Sequence, residues 1–348
     1  MTLLTTVVGS YPMPEWLKLF PTRQSLIDAI MVVLKTQELA GIDVVTDGEL
    51  ARFDINHPET NGMIEYFVRR MSGIDHELTR TELEEYRRQQ TTAYRLRPAG
   101  IVRGPVGEGA LHLNEDFALV RRLTHKPVKF TVTSPFMLAQ VLMDAYYHDR
   151  QQLTMAIAHV LANQVRGIHP DVVQIDEANV TGHPELADLA SEAINFVLAA
   201  VPEGVEKGVH LCFGNYGGQR IQQGTWDRLV PFLNSLNCDH LVLEFARHGY
   251  DELHVVREIR PEIRLGIGVI DIKDNSVETP EEVARRIERV VEVVGEERLK
   301  YVHPDCGFWM LPRSVADRKM RNLVLGRDLF LGQYRGGSPS EPGVVSRS

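Results

Sequence analysis

Short runs of apolar and β-branched residues recur along the chain, most of them followed by a longer stretch of helical pattern. Eight runs read as strands: TTVVG (5–9), IDVVT (42–46), VKFTV (128–132), DVVQID (171–176), GVHLCF (208–213), HLVLEF (240–245), RLGIGV (264–269) and LKYVH (299–303). Most are near-continuously apolar instead of alternating, which is the pattern of parallel strands covered on both faces. Helical patterns fall at 23–40, 150–168, 184–200, 218–236, 249–260, 279–296 and 313–327. The stretch TPEEVARRIERVVEVVG (279–295) opens on Thr-Pro and closes on Gly295, as helix caps require.

Eight strands alternating with helices predict an α/β chain forming a single (β/α)8 TIM barrel over residues 1–335. The interval 51–127 is too long for a simple crossover. It holds a charged helical stretch (ELTRTELEEYRRQQ) and a Gly/Pro-rich strand-like piece (RLRPAGIVRGPVGEG), and is read as an insertion after strand two that covers the barrel mouth. The tail 336–348 is small and polar, a composition that predicts disorder.

The composition narrows the choice of partners. The 348 residues carry a formal net charge of −9, with no long basic run, which disfavours nucleic acid and anionic membrane. Three cysteines make no disulfide framework, and neither a signal peptide nor an apolar run of membrane-spanning length is present. The expected setting is the reduced cytoplasm, where thiolates can hold metal.

In this fold, chemistry gathers at the C-terminal ends of the strands. Ser10 follows strand one, Asp47 and Glu49 follow strand two, and Asp176 ends strand four. His210 and Cys212 close strand five, Glu244 lies near the end of strand six, Lys273 follows strand seven and Cys306 follows strand eight. Taken singly, each phrase is an ordinary strand end, and a buried free cysteine is an ordinary small apolar residue. Gathered at one rim, His, Cys, Glu and Cys make a donor set that suits zinc. Cys238 precedes strand six and belongs to the opposite face.

The phrases VVGSYP, GIDVVTDGE, VVQIDE, HLCFGN, LEF, GVIDIK and PDCGF occur in this order over almost the whole chain. Together they resemble the C-terminal catalytic barrel of the cobalamin-independent methionine synthase family, in its short single-barrel form. The resemblance implies zinc as cofactor, held by His210, Cys212, Glu244 and Cys306. It implies homocysteine as the methyl acceptor, contacted by Val8, Gly9, Ser10, Glu49 and Asp176, with Asp176 and Lys273 acting in the reaction. Lys273 stands where the family has a catalytic histidine, the family's pterin-stacking tryptophan has no counterpart near Gln140, and a folate-binding N-terminal barrel is missing. The methyl donor is therefore left open between a methylfolate, a methylated corrinoid and another carrier, with delivery by an accessory protein allowed. Methylfolate alone is expected to support little turnover.

Two other readings compete. A zinc alkyltransferase using another small thiol, of the coenzyme M type, would want a cation for the sulfonate where Glu49 and Asp176 stand. A decarboxylase-like barrel, or a purely structural zinc protein, leaves either the donor quartet or the acidic pair without a purpose.

Overall fold

The computed structural model describes residues 2–54, 62–89, 95–215, 222 and 224–332. The tail 336–348 and part of the expected helix 218–236 lie outside the described residues. Ten strands occur among the described residues: β1 (Leu4–Thr5), β2 (Ser72–Asp75), β3 (Gly100–Gly107), β4 (Lys129–Thr133), β5 (Leu142–Asp144), β6 (Val172–Glu177), β7 (Glu206–Leu211), β8 (His240–Leu243), β9 (Arg264–Ile270) and β10 (Leu299–Pro304).

Seven strands form one parallel sheet in the order β1-β10-β9-β8-β7-β6-β4. The sheet is curled. Residues 44 and 45 touch both of its edges through single bridges, Thr6 with Val44 and Val45 with Val128. The Val44 N–H donates to the Thr5 carbonyl at 3.2 Å, the Val45 N–H to Pro127 at 2.9 Å, and the Lys129 N–H to Val45 at 2.9 Å. Thus 42–46, expected as a full strand, pairs by isolated bridges, and the first strand is shorter than the run 5–9. Every residue of β4, β6 and β8 is buried, because helices cover one face and packed side chains the other.

The interval between residues 62 and 127 contains the helices Glu65–Val68, Arg80–Gln89 and Leu113–Leu123. Its strands β2 and β3 pair antiparallel, and β5, from beyond β4, joins β3 in a second, three-stranded sheet.

Helix Pro280–Val294 shows how the local sequence fixes an element. The Thr279 side chain accepts from the Glu282 N–H, and the Glu282 carboxylate answers at the Thr279 N–H. Gly295 ends the helix at φ 84°, where a side chain would be strained. Val283, Ile287, Val290 and Val294 form its buried stripe, and Gly326 of the neighbouring helix Arg313–Phe330 lets Val283 approach its backbone. The expected helix 249–260 is instead a 3-10 helix, Tyr250–Glu258. Its buried residues are Leu253, Val255 and Val256, and Ile259, just past its end, is buried as well. The stretch 184–200 likewise starts as a 3-10 turn, Pro184–Leu186, before Ala187–Ala199.

Glu206 at the start of β7 ties neighbouring strands together. Its carboxylate lies 2.8 Å from His240 Nδ1, accepts from Lys300 Nζ at 2.6 Å and from the Tyr301 hydroxyl at 3.0 Å. Burial opposes ionisation, but these partners outweigh it and hold the carboxyl down to about 2. A carboxyl lower in the folded than in the unfolded chain stabilises the fold above its unfolded pKa, and that stability disappears as pH falls through the folded value. Glu206→Gln should therefore cost roughly 2 kcal/mol at pH 7, after allowance for partial solvent screening. The gap should close between about pH 4.5 and pH 2. Urea unfolding at pH 7 and pH 3 checks this; an equal gap at both pH values would rule the linkage out.

Candidate metal centre and adjoining cavity

His210 is the fifth residue of β7, paired in register with Asp176 of β6 on one side and Val242 of β8 on the other. The strand ends at Leu211, so Cys212 stands just past the sheet. Cys306 lies two residues beyond β10. The two sulfurs are 3.9 Å apart. One donor atom from each of His210, Cys212 and Cys306 falls within 4.8 Å of the others.

Zinc fits this set. A tetrahedral ion with metal–sulfur bonds of about 2.3 Å spaces two sulfurs about 3.8 Å apart. The His210 ring is already oriented for it: Nδ1 lies 2.9 Å from the Val242 carbonyl, while buried Nε2 makes no hydrogen bond. A carbonyl at Nδ1 fixes the proton there and leaves Nε2 with a free lone pair.

The electrostatics divide the cysteines. The Cys212 sulfur holds the Cys306 thiol well below the ordinary thiol range against the effect of burial, helped by His210 and Lys273. Cys212 is pushed up by Cys306, by burial and by Glu244. One sulfur of the pair thus readily carries charge.

Glu244, expected as the fourth ligand, lies beside this cluster, next to Lys273 and the Phe213 N–H. It is fully buried; Oε1 accepts from Lys273 Nζ at 2.9 Å and Oε2 from the Phe213 N–H at 3.1 Å.

A cavity of about 910 Å³ opens over the cluster. Val8, Ser10, Glu49, Asp176, His210, Cys212 and Cys306 all line it, whereas Gly9, Glu244 and Lys273 are not among its lining residues. Its lining also includes the apolar Trp16, Phe53, Met63, Met137, Trp309 and Met310 and the charged Lys18, Arg95 and Arg313.

The segment 8–10 is tied down on all sides. The Val8 carbonyl accepts from Gln174 Nε2 at 3.0 Å, Gly9 from the Thr46 hydroxyl at 2.8 Å, and Ser10 from the Phe308 N–H at 2.8 Å. A Cβ at Gly9 would land on the Glu49 carboxylate, so glycine makes room for that side chain. Glu49 sits in the left-handed region at φ 58°, a strained conformation for a non-glycine residue. Its carboxylate accepts from the Thr131 hydroxyl at 2.7 Å and lies 3.5 Å from Arg52 Nη1. Asp176 accepts from Gln174 Nε2 at 2.7 Å. Burial pushes its carboxyl up to about 7; His210 and Gln174 pull it down and Glu49 pushes it further up.

Comparison with known proteins agrees with this architecture. Residues 3–326 match the model of a family described as cobalamin-independent synthase, catalytic domain. The chain belongs to that family. The family is that of the cobalamin-independent methionine synthases, which are methyltransferases. The chain is 29% identical to the methionine synthase of Thermococcus kodakarensis, covering 94% of this chain and 93% of that one. It is 28% identical to the methionine synthase of Sulfurisphaera tokodaii, covering 93% and 91%. In fold it is similar to the B12-independent methionine synthase of Shewanella sp. W3-18-1 solved with selenomethionine, with a TM-score of 0.81, 23% identity, and coverage of 96% of this chain and 99% of that chain. No helix among the described residues is long and apolar enough to cross a membrane.

Several residues that shape the site were not among the expected site residues. The fully buried Asp305 carboxylate accepts from the backbone N–H groups of Phe245, Ala246 and Arg247, at 3.0, 2.8 and 2.6 Å. Glu177 accepts from the Asn179 and Val180 N–H groups and from the Ser134 hydroxyl. Lys319, fully buried, donates to the carbonyls of Asp271 and Ser276 and to Glu278, and so holds the loop that carries Lys273. The signal available in the sequence was the acid next to a strand end, Asp305 in PDCGF and Glu177 in VVQIDE; the partners come from distant elements.

Proposed function

We propose that the chain is a zinc-dependent methyltransferase that moves a methyl group to the thiol of homocysteine to give methionine. The observation that carries the reading is the His210–Cys212–Cys306 donor set opening on the same cavity as Asp176 and Ser10. The names of the relatives support the same acceptor.

His210, Cys212 and Cys306 would hold the ion, and zinc there would keep a substrate thiol ionised at neutral pH. The chain's own residues position the rest of the acceptor. Asp176, buried at the floor of β6 and lining the cavity together with Glu49, offers negative charge to the ammonium, a charge-assisted contact. Glu49 is braced by Thr131 and Arg52, so its charge stays in place. The Ser10 hydroxyl is assigned to the carboxylate end. In the transfer, a sulfur lone pair forms the S–CH₃ bond while the donor–CH₃ bond breaks and its electron pair leaves with the donor. The aromatic lining residues Trp16, Phe53 and Trp309 suit a donor with a bulky flat body, such as a methylfolate or a methylated corrinoid, brought free or on an accessory protein.

We further propose that the parallel sheet is a closed (β/α)8 barrel in which 42–46 serves as the eighth strand, and that residues from about 51 to 127 insert at its mouth. The bridges from residues 44 and 45 to both sheet edges support the closure.

Homocysteine should be offered with each donor class in turn, and methionine read by mass spectrometry. Methionine from at least one donor is expected. No methionine from any of them, with another thiol methylated instead, would move the acceptor to a different class. Asp176→Asn should raise the homocysteine KM by roughly 5- to 150-fold, the equivalent of a lost hydrogen bond to a charged group at about 1–3 kcal/mol. An unchanged KM would remove Asp176 from the acceptor site.

A further inference from the structure

Among the described residues, Tyr11, Trp16, Phe53 and Trp309 bring aromatic rings to the cavity. Tyr11 is buried, Trp16 and Phe53 are half-buried, and Trp309 is 42% exposed. Tyr11 is already engaged: its hydroxyl donates to Asp317 and accepts from Arg313, whose guanidinium also lies over the ring. Trp226, elsewhere in the fold, is buried against Phe213 and Phe245. Trp309 makes no ring–ring contact among the described residues. A large apolar face left in water at the mouth of a cavity marks a contact site.

The chain holds Trp309 in place from both ends. The Leu311 N–H donates to the Phe308 carbonyl at 2.9 Å, closing a turn with Trp309 and Met310 at its tip. Phe308 and Leu311 are buried in the core. The Phe308 N–H also donates to the Ser10 carbonyl at 2.8 Å, and a Cβ at Gly307 would land on the Ser10 hydroxyl. The turn is thus seated on the residue assigned to the homocysteine carboxylate. Trp309 lies three positions past Cys306, and three extended residues span at most about 10–11 Å. A ring lying on Trp309 is therefore kept close to the cysteine sulfurs.

We propose that Trp309 is the platform on which the flat conjugated ring of the methyl donor stacks. The proposal rests on the methyl-transfer reading above and deepens it by naming where the donor's ring lies. An indole face gains from offset overlap with a second flat ring and from the water both faces shed. The contact is broad and planar, so it favours a ring-bearing donor over an aliphatic carrier of the same methyl group. Met310, at the same tip, offers a soft thioether to the ring edge.

A pterin and a corrin both present such a ring, and the test separates them. Titration calorimetry of the full chain against 5-methyltetrahydrofolate, and separately against methylcobalamin, measures the affinity for each. For at least one probe, Trp309→Ala and Trp309→Leu should weaken binding by roughly 5- to 150-fold, the range for a base stacked on an aromatic side chain. Trp309→Phe keeps a smaller ring and should stay within about 5-fold of wild type. Leucine is apolar but not flat, so its loss distinguishes stacking from simple burial. In turnover, Trp309→Ala should raise the donor KM by the same factor and leave the homocysteine KM within about 2-fold. An effect on the pterin alone assigns a folate-type donor, and an effect on the corrin alone a corrinoid. If neither probe binds the wild-type chain, or if Trp309→Ala or Trp309→Leu binds as wild type does, the platform is overturned. If the ring affinities respond as expected but no methionine forms from homocysteine, the methyl-transfer reading falls and the ring site stands. The variants sit at an exposed turn tip and should melt within about 2 °C of wild type. Should Trp309→Ala fail to fold, Trp309→Leu against Trp309→Phe carries the same comparison.

Discussion

Cys212→Ser and Cys306→Ser proteins are expected to come out of purification without zinc, where the wild-type chain carries about one ion. Serine is close in size to cysteine, so the packing around these sites should survive. What changes is the donor. A serine hydroxyl stays protonated near neutral pH, while a cysteine gives up its proton to the metal, and zinc favours thiolate over hydroxyl. Structural zinc sites bind with about 10–16 kcal/mol for a full ligand set, so one thiolate is worth on the order of 3–4 kcal/mol. The expected loss is therefore roughly 100- to 1000-fold in affinity. Methionine formation should fall by about 1000-fold or more, because a thiol substrate near its free pKa of about 8.5 is mostly protonated at pH 7. Cys238 is the control: it precedes β8 at the opposite end of the strand from Glu244 and is buried as a packing residue. Cys238→Ser should keep its full zinc. Elemental analysis of the three variants side by side gives the result, and full zinc in both Cys212→Ser and Cys306→Ser would remove the metal centre.

The parts of this architecture that could be read from sequence are those whose cause is local. β4, β6 and β8 are apolar from end to end because both faces are covered, so the pattern gives both their place and their parallel pairing. The capped helix Pro280–Val294 carries its start and stop in four residues, Thr279, Pro280, Glu282 and Gly295. In the stretch 249–260 three-residue and four-residue spacings differ little over so short a run, so its apolar pattern fits an α-helix as well as the 3-10 helix Tyr250–Glu258. Val44 and Val45 have strand chemistry, yet the pairing they make depends on two distant edges that the run itself does not specify.

The site divides along the same line. His210, Cys212 and Cys306 are scarce residue types at the ends of apolar runs, and the strand order alone predicts that they meet. The partners of Glu244 could not be read in that way. Its carboxylate accepts from Lys273, 29 positions along the chain, whose loop is held by Lys319 in the last helix. Arg52 is similar: it braces Glu49 and donates to the Thr131 hydroxyl at 2.8 Å, but in sequence it is one arginine among many.

Asp305→Ala is expected to be the most damaging single change outside the donor set. Asp305 is fully buried, and its two oxygens take three successive backbone N–H groups, those of Phe245, Ala246 and Arg247. These groups follow Glu244 directly, at the point where the chain leaves β8, and have no ladder to enter. A Cβ at Gly268 would land on the Asp305 carboxylate, so the neighbouring strand is also shaped around it. Alanine would leave three donors facing a small void. Each unsatisfied buried donor costs about 1–3 kcal/mol, and partial entry of water brings the total to roughly 3–5 kcal/mol. For a chain of this size that lowers Tm by roughly 5–10 °C. Asp305→Asn keeps one acceptor oxygen but turns an NH₂ toward backbone donors, so it should fall between wild type and alanine. Because Asp305 adjoins Cys306 in sequence and orders the peptide after Glu244, zinc retention should drop together with Tm in both variants. Differential scanning calorimetry with elemental analysis on the same samples tests this. An Asp305→Ala protein that melts with wild type would mean that the turn at 245–247 finds other acceptors, and that the carboxylate does not organise the rim on which the cluster stands.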